Sequence, residues 1–223
     1  MKAFSLIISI VPHDKGEKLT KAAVEAGSGG GSVLMGRGLA SSNFGAILGT
    51  GETTKDLIYM VVDSEKKAEI MNVIVESAKN EKSAFGCLFT MGADSLLKAG
   101  NIAGMAEEAS LKGEEKMNEE NKKDMITVIV NKGFADDVMF AARKAGASGG
   151  TVINARGTAR EGDAKFFGVH IVPEKDMLII VVDSDKKEAV LSAIKEVKCL
   201  KEPGMGIAFS SPVGDFTLLG KKK

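Results

Sequence analysis

The 223-residue sequence contains no tryptophan, one tyrosine and an aromatic content of only 5%. Proteins that bind single-stranded nucleic acid use aromatic side chains as stacking platforms, so the composition argues against that class. Thirty basic residues are balanced by 30 acidic residues, and the chain therefore lacks the positive field of a dedicated nucleic-acid binder. No apolar run approaches the ~18–20 residues of a membrane-spanning helix. We expect neither nucleic-acid binding nor membrane insertion.

Cysteine and histidine are also scarce, with two residues of each. Cys87 and Cys199 form no CxxC pair, so we predict free thiols and a cytoplasmic location. His13 and His170 have no partner at ligand spacing, which predicts no metal site. No arrangement of serine, cysteine and histidine suggests a nucleophile with its base, and we therefore predict no catalytic residues and no enzyme activity.

The sequence does contain an internal repeat with a spacing of about 120 residues. The repeated segments are Val61-Val62-Asp63-Ser64 with Val181-Val182-Asp183-Ser184, Arg37-Gly38 with Arg156-Gly157, and Gly86 and Phe89 with Gly206 and Phe209. A period this long repeats a whole domain, because solenoid units have periods of ~20–50 residues. The repeat predicts a first domain at 1–94, a charged linker at 95–123 and a second domain at 124–223.

Each copy has the pattern strand, helix, strand, strand, helix, strand. The predicted strands are Phe4–Val11, Ser32–Arg37, Leu57–Val62 and Gly86–Thr90, then Met125–Val130, Thr151–Arg156, Met177–Val182 and Gly206–Ser210. The segments between them carry apolar residues at helical spacing, such as Leu19, Ala22, Ala23 and Ala26. This order predicts an α+β fold with two tandem ferredoxin-like (βαββαβ) domains and antiparallel sheets.

The third strand of each copy is apolar on both sides, which implies burial of both sheet faces. Association of sheets, within the chain or between chains, would provide that burial, and we predict a homo-oligomer. The glycine-rich segment Gly27–Ser32 follows a helix and fits no phosphate-loop pattern, so we interpret it as a helix-to-strand turn.

Long segments separate the second and third strands in both copies, at 38–56 and 157–176. Loops of ~20 residues in compact domains are usually functional or disordered. Because such loops are polar and carried on rigid strands, we expect these two to contact partner proteins. The second loop also contains a predicted extra strand at Phe166–Pro173.

The run Gly204-Met205-Gly206-Ile207-Ala208-Phe209-Ser210-Ser211-Pro212-Val213, with the βαββαβ order and the long loops, resembles the P-II nitrogen regulatory protein family. The second copy is similar from Met125 to about Val213, and the first copy is similar in order and hydrophobic pattern. The resemblance implies a trimeric signal transducer of nitrogen regulation. Its relatives bind ATP or ADP and 2-oxoglutarate between subunits and dock a long T-loop on partner proteins.

Carried over by position, the resemblance implies a ligand site in the second copy, at Thr151, Arg156, Gly157, Arg160, Gly204 and Gly206. Glycines let backbone amides approach phosphate oxygens, and arginines neutralise them. Ile207 and Cys87 stand where the family has a phosphate-binding lysine. An adenine nucleotide is therefore expected to bind weakly, and the effector stays unknown.

Two functional hypotheses follow. The first is a P-II-like regulator that binds a small anionic effector and controls a partner protein through its loops. The alternative is an oligomeric ion-handling or scaffolding protein, similar to the divalent-cation-tolerance proteins of the same architecture. A bound nucleotide near Gly204 would favour the first, and metal in a carboxylate-lined crevice would favour the second.

Overall fold

The computed structural model describes residues 4–40, 52–83, 85–93, 122–157, 165–166, 169–170, 174–202 and 204–221. The chain divides into two compact units that interleave along the sequence. Unit 1 comprises Met1–Met35, Lys55–Lys122 and Val213–Lys223, and unit 2 comprises Gly36–Thr54 and Lys123–Pro212.

Unit 1 places two helices on an antiparallel sheet. Its elements are β1 (Phe4–Pro12), α1 (Gly16–Glu25), the start of β2 (Ser32–Ala40), most of β3 (Glu52–Asp63), a 3-10 turn at Ser64–Lys66, α2 (Lys67–Ala78) and β4 (Gly86–Ala93). β1 lies between β3 and β4, with Phe4 opposite both Asp63 and Ala93. The apolar stripes of α1 and α2 bury Leu19, Ile70 and Ile74 against this sheet.

Unit 2 repeats the order of elements. They are β5 (Lys123–Asn131), α3 (Ala135–Lys144), β6 (Gly149–Arg156), β7 (Lys165–Phe166), β8 (Val169–His170), β9 (Glu174–Asp183), a 3-10 turn at Ser184–Lys186, α4 (Lys187–Lys195), the short α5 (Lys198–Lys201) and the start of β10 (Gly206–Leu219). β9 lies between β5 and β6 in antiparallel register. The βαββαβ order and the antiparallel α+β fold of ferredoxin type are confirmed.

Several predicted boundaries are wrong because long-range pairing extends the strands. β2 continues to Ala40, since Gly36–Ala40 pair with residues 149–153 of β6. β3 begins at Glu52, so strands occupy both ends of the predicted loop 38–56. The predicted closing strand Gly206–Ser210 continues to Leu219, whose partner on β4 is Gly86.

Other expectations fall partly outside the described residues. In the second loop, the predicted strand Phe166–Pro173 corresponds to the short pairing of β7 with β8, and residues 171–173 lie outside the described ranges. The division at 1–94, 95–123 and 124–223 stays a prediction, because most of the linker also lies outside them. Among the helices in the described ranges, none is both long enough and apolar enough to cross a membrane.

The strands are buried on both faces within a single chain. In unit 1, Ile7 and Ile58 face the helices, whereas Ile8, Leu57 and Phe89 point to the opposite face and are at most 1% exposed. The expected burial of both faces is confirmed, and homo-oligomerisation stays a prediction.

Candidate functional site

The ligand residues predicted in the second copy lie on two strands of unit 2, β6 and the start of β10, and in the segments beside them. Thr151 is buried within β6 opposite Ile179, and Arg156 ends the same strand as an exposed side chain opposite Glu174. Gly157 follows β6 and is half-buried. Gly204 lies in an exposed turn, and Gly206 begins β10. Arg160 lies outside the described residues.

The strand order separates these residues into two groups. β9 and β5 lie between β6 and β10, and neighbouring strands are about 4.8 Å apart, so the two groups are separated by roughly 14 Å. The structure therefore does not gather these residues into one cluster. Arg156 and Gly157 are adjacent at the end of β6, and Thr151 lies five residues earlier on the same strand, about 16 Å away. Gly204 and Gly206 lie beyond two intervening strands.

Packing explains Gly206, and backbone conformation explains Gly204. An added Cβ at Gly206 would lie 2.8 Å from Val130 Cγ1 and 2.9 Å from Leu200 Cδ2, so a side chain does not fit there. Gly204 has a left-handed φ of 82°, which glycine adopts at low cost. Ile207, which replaces the family lysine, is 58% exposed and offers no charge to an anion.

Both cysteines are free thiols, as predicted. Burial raises the pKa of the Cys87 thiol to about 11, and burial also raises the pKa of Cys199. A raised pKa keeps each sulfur protonated near neutral pH, so neither is an activated nucleophile. Cys87 packs within β4 opposite Ile10 and serves as a small core residue.

A cleft in unit 1 is a second candidate place for a ligand. It has a volume of about 500 Å³ and lies beside the glycine-rich turn Gly27–Ser32. The walls come from two strands: Phe4 of β1, and Tyr59, Val61 and Asp63 of β3. Burial raises the pKa of Tyr59, so its phenol stays neutral and can donate a hydrogen bond.

The turn has its shape because of its glycines. Gly27 follows the C-cap of α1 with a φ of 91°, and Gly30 has a φ of 102° later in the turn. Both values lie in the region that favours glycine. An added Cβ at Gly31 would lie 2.7 Å from Met60 Cγ, so the backbone passes close to β3. At Gly29, which lines the cleft, no atom lies within 4 Å of the Cβ position, so there is empty space beside this residue.

Lys66 supplies positive charge beside Gly27, one of the glycines that line the cleft. Its Nζ lies 2.9 Å from the Cβ position of Gly27. The equivalent residue of unit 2, Lys186, also covers a turn glycine, Gly146, but its Nζ donates to Asp183 at 2.7 Å. The ammonium group of Lys66 therefore lies near the turn in unit 1. In unit 2, the ammonium group of Lys186 is bound to the carboxylate of Asp183.

The matching turn of unit 2 differs at the positions that shape the cleft. Ala147, Ser148 and Ile179 replace Ser28, Gly29 and Tyr59, and Ala147 is only 6% exposed. The prediction of a turn at Gly27–Ser32 is confirmed. Sequence reasoning did not identify it as the wall of a cleft, although the run of glycines and the single tyrosine were the available signals.

Comparison with known proteins identifies the family. The family description "Nitrogen regulatory protein P-II" matches residues 112–223, half of the chain. The chain belongs to the P-II family. This match confirms the family that the sequence resemblance predicted. No curated protein matches the chain.

Two solved structures are similar to this P-II chain. The PII protein of Arabidopsis thaliana, bound to citrate, is 19% identical with a TM-score of 0.36, covering 44% of this chain and 84% of that chain. A PII-like signaling protein of Thermus thermophilus is 18% identical with a TM-score of 0.33, covering 44% of this chain and 91% of that chain.

Proposed function

We propose that this P-II family chain is a regulatory protein in which a small effector binds at the cleft of unit 1 and thereby controls a partner protein. The observation that carries the proposal is the cleft beside Gly27–Ser32. β2 begins at this turn and leads into the loop 38–56, and β3 leads back from that loop to Tyr59 in the cleft wall. A ligand that favours one arrangement of the two strands would shift the population of loop states.

The walls of the cleft indicate the chemistry of the effector. Phe4 and Tyr59 offer aromatic surface for a flat ring or an apolar portion of the ligand. Lys66 offers a positive charge for a carboxylate or phosphate, while Asp63 disfavours an anion on its own side. We therefore propose a small effector with one anionic end, and an adenine nucleotide is one candidate.

The predicted residues of unit 2 enter as a separate proposal. Thr151, Arg156, Gly157 and Arg160 would form one half of an anion site, and Gly204 with Gly206 would form another, each completed by a neighbouring domain.

We further propose a role in nitrogen regulation, a cytoplasmic location, self-association and an origin by tandem duplication. The paired βαββαβ units support the duplication. No observation in the described residues favours the alternative of an ion-handling protein.

A thermal-shift panel tests the binding proposal. ATP, ADP, 2-oxoglutarate, bicarbonate and divalent metals are added separately to the full chain and to three variants. A compound at 100 times its Kd stabilises the folded state by about 2.7 kcal/mol, which raises the Tm of a chain of this size by several degrees at roughly 2–4 °C per kcal/mol. We expect at least one anionic compound to raise the Tm of the wild-type chain.

The variants locate the site. Gly29→Val fills open space in the cleft, and Ser148→Val is the matched change in unit 2. Binding should be lost in Gly29→Val and kept in Ser148→Val. If binding were lost only in Arg156→Ala, the effector would bind in unit 2, and the proposed site in the cleft of unit 1 would be wrong. If no compound of the panel shifted the Tm, the proposal that a small anionic effector of this kind regulates the protein would be contradicted.

A further inference from the structure

The turn between β1 and α1 carries a histidine between two carboxylates. The Nδ1 atom of His13 lies 2.8 Å from Asp56 Oδ1, and its Nε2 atom lies 3.3 Å from Asp14 Oδ1. Asp56 is 4% exposed and belongs to β3. Its second oxygen, Oδ2, accepts the backbone N–H of Gly16 at 3.1 Å. The carboxylate of Asp56 thus ties the imidazole ring and the first residue of α1 to β3.

The charged form of the ring suits both contacts better than the neutral form. A neutral imidazole has one donor and one acceptor nitrogen. If Nδ1 donates to Asp56, the unprotonated Nε2 of the neutral ring lies near the carboxylate of Asp14 without a proton between them. The imidazolium ion donates to Asp56 and forms an ion pair with Asp14. The geometry therefore favours protonated His13.

The backbone of this turn is held in an uncommon conformation. Asp14 has a φ of 65°, in the left-handed region that non-glycine residues rarely adopt. The equivalent residue of unit 2 is Gly133, with a φ of 95°. Unit 1 thus accepts the conformational cost of a side chain at this position, where that side chain lies beside His13.

Unit 2 keeps the buried carboxylate but not the histidine. Asp176, 3% exposed, accepts the N–H of Gly133 at 2.9 Å. The position of His13 is taken by Lys132, whose Nζ donates to Glu174 at 2.5 Å. The hydrogen bond to Glu174 is the main cause that raises the pKa of Lys132, which keeps this pair ionised across neutral pH. Between these two matching turns, sensitivity to protons near pH 7 therefore belongs to the turn of unit 1.

We propose that His13, Asp14 and Asp56 form a proton-operated clamp that fastens the β1–α1 turn of unit 1 to β3. Below neutral pH the imidazolium bridges both carboxylates and holds the turn closed. When the proton leaves, Nδ1–H still donates to Asp56, but this hydrogen bond loses its charge assistance and the ion pair with Asp14 is lost. The turn is then held less tightly to β3. Other charges nearby are Lys15, which follows Asp14, and Lys55, which precedes Asp56 on β3.

The direction of the pH dependence follows from the pKa. The hydrogen bond to Asp56 raises the pKa of His13 above its ordinary value of 6.5, and the charge of Asp14 acts in the same direction. A group with a raised folded-state pKa contributes stability that is complete below its unfolded pKa. We expect the contribution to be present below pH 6.5 and to be lost as the pH rises through the folded-state pKa of His13.

Amide exchange followed by NMR tests the clamp with an internal control. Protection factors, corrected for intrinsic exchange, are measured from about pH 5.5 to about pH 8.5 for the amides of Gly16 and Gly133 in the wild-type chain, a range that brackets the ordinary histidine pKa. The account predicts loss of protection at Gly16 as the pH rises, and constant protection at Gly133. Equal behaviour of the two amides would overturn the proposal.

Titration of the histidine rings and unfolding of variants complete the test. The His13 resonance should titrate above pH 6.5 in the wild-type chain and lower in Asp14→Asn. The pH dependence of the unfolding midpoint should be reduced in His13→Gln and unchanged in the control His170→Gln. A His13 ring that titrates at or below its ordinary pKa of 6.5, or a His13→Gln variant with the wild-type pH dependence, would show that no clamp exists.

Discussion

At the scale of single residues, the repeated glycines are explained by packing rather than by ligand contact. Gly86 and Gly206 are equivalent positions of the repeat, and the family resemblance interprets Gly206 as a phosphate-side glycine. An added Cβ would lie 2.2 Å from Ile10 O at Gly86 and 2.8 Å from Val130 Cγ1 at Gly206. The sequence could show that these positions require glycine, but the reason depends on a neighbouring strand.

Substitution of Gly86 by alanine should destabilise the protein. The Cβ would overlap the carbonyl of Ile10, which belongs to a paired strand and cannot move freely. Overpacking of this kind costs about 1–3 kcal/mol. Urea unfolding of Gly86→Ala measures this cost.

Gly92 provides the matched control on the same strand. Nothing lies within 4 Å of its Cβ position, so Gly92→Ala should change the unfolding free energy by no more than about 0.5 kcal/mol. Equal stability of the two variants would contradict the close approach of β1 and β4.

At the scale of secondary-structure elements, the helices were predictable and the ends of the strands were not. The spacing of Leu19 and Ala23 shows which face of α1 is buried, because helical periodicity is local. The extension of β10 beyond Ser210 depends on pairing with β4, which lies far earlier in the sequence. Sequence periodicity cannot identify such a partner.

The C-terminal part of β10 is fixed to unit 1 at a bend. Its register against β4 shifts between Gly214 and Thr217. At the bend, Asp215 has a left-handed φ of 47°. Its Oδ2 accepts a hydrogen bond from Thr90 Oγ1 at 3.2 Å and forms an ion pair with Lys67 Nζ at 2.9 Å. Beyond the bend, Leu219 is 1% exposed and joins the core of unit 1.

Two adjacent leucines test whether this strand is docked as described. Leu219→Ala removes a buried side chain and should destabilise the chain by about 2–5 kcal/mol. Leu218 is 68% exposed on the same strand, and Leu218→Ala should change stability by less than about 0.5 kcal/mol. The unfolding free energy in urea distinguishes them. Equal effects would mean that residues 213–221 do not pack against β4 in this register.

At the scale of the whole molecule, the repeat predicted the βαββαβ order of both halves and the resemblance predicted the family. The location of a ligand cleft was not predictable in the same way. It depends on differences between the copies, such as Tyr59 against Ile179 and Gly29 against Ser148, whose meaning appears only when strands and turn are placed together. The predicted arginine and glycines of unit 2 were correctly assigned to strand ends and a turn, but β9 and β5 lie between the two strands concerned.

The central claim is that an effector in the cleft of unit 1 changes the loop that contacts a partner. Hydrogen exchange by mass spectrometry, with and without each stabilising compound of the panel, tests both parts in one measurement. The account predicts slower exchange at residues 27–32 and 59–63 together with altered exchange in the loop 38–56. Protection confined to the region of Arg156 and residues 204–206, or protection of the cleft with an unchanged loop, would contradict it.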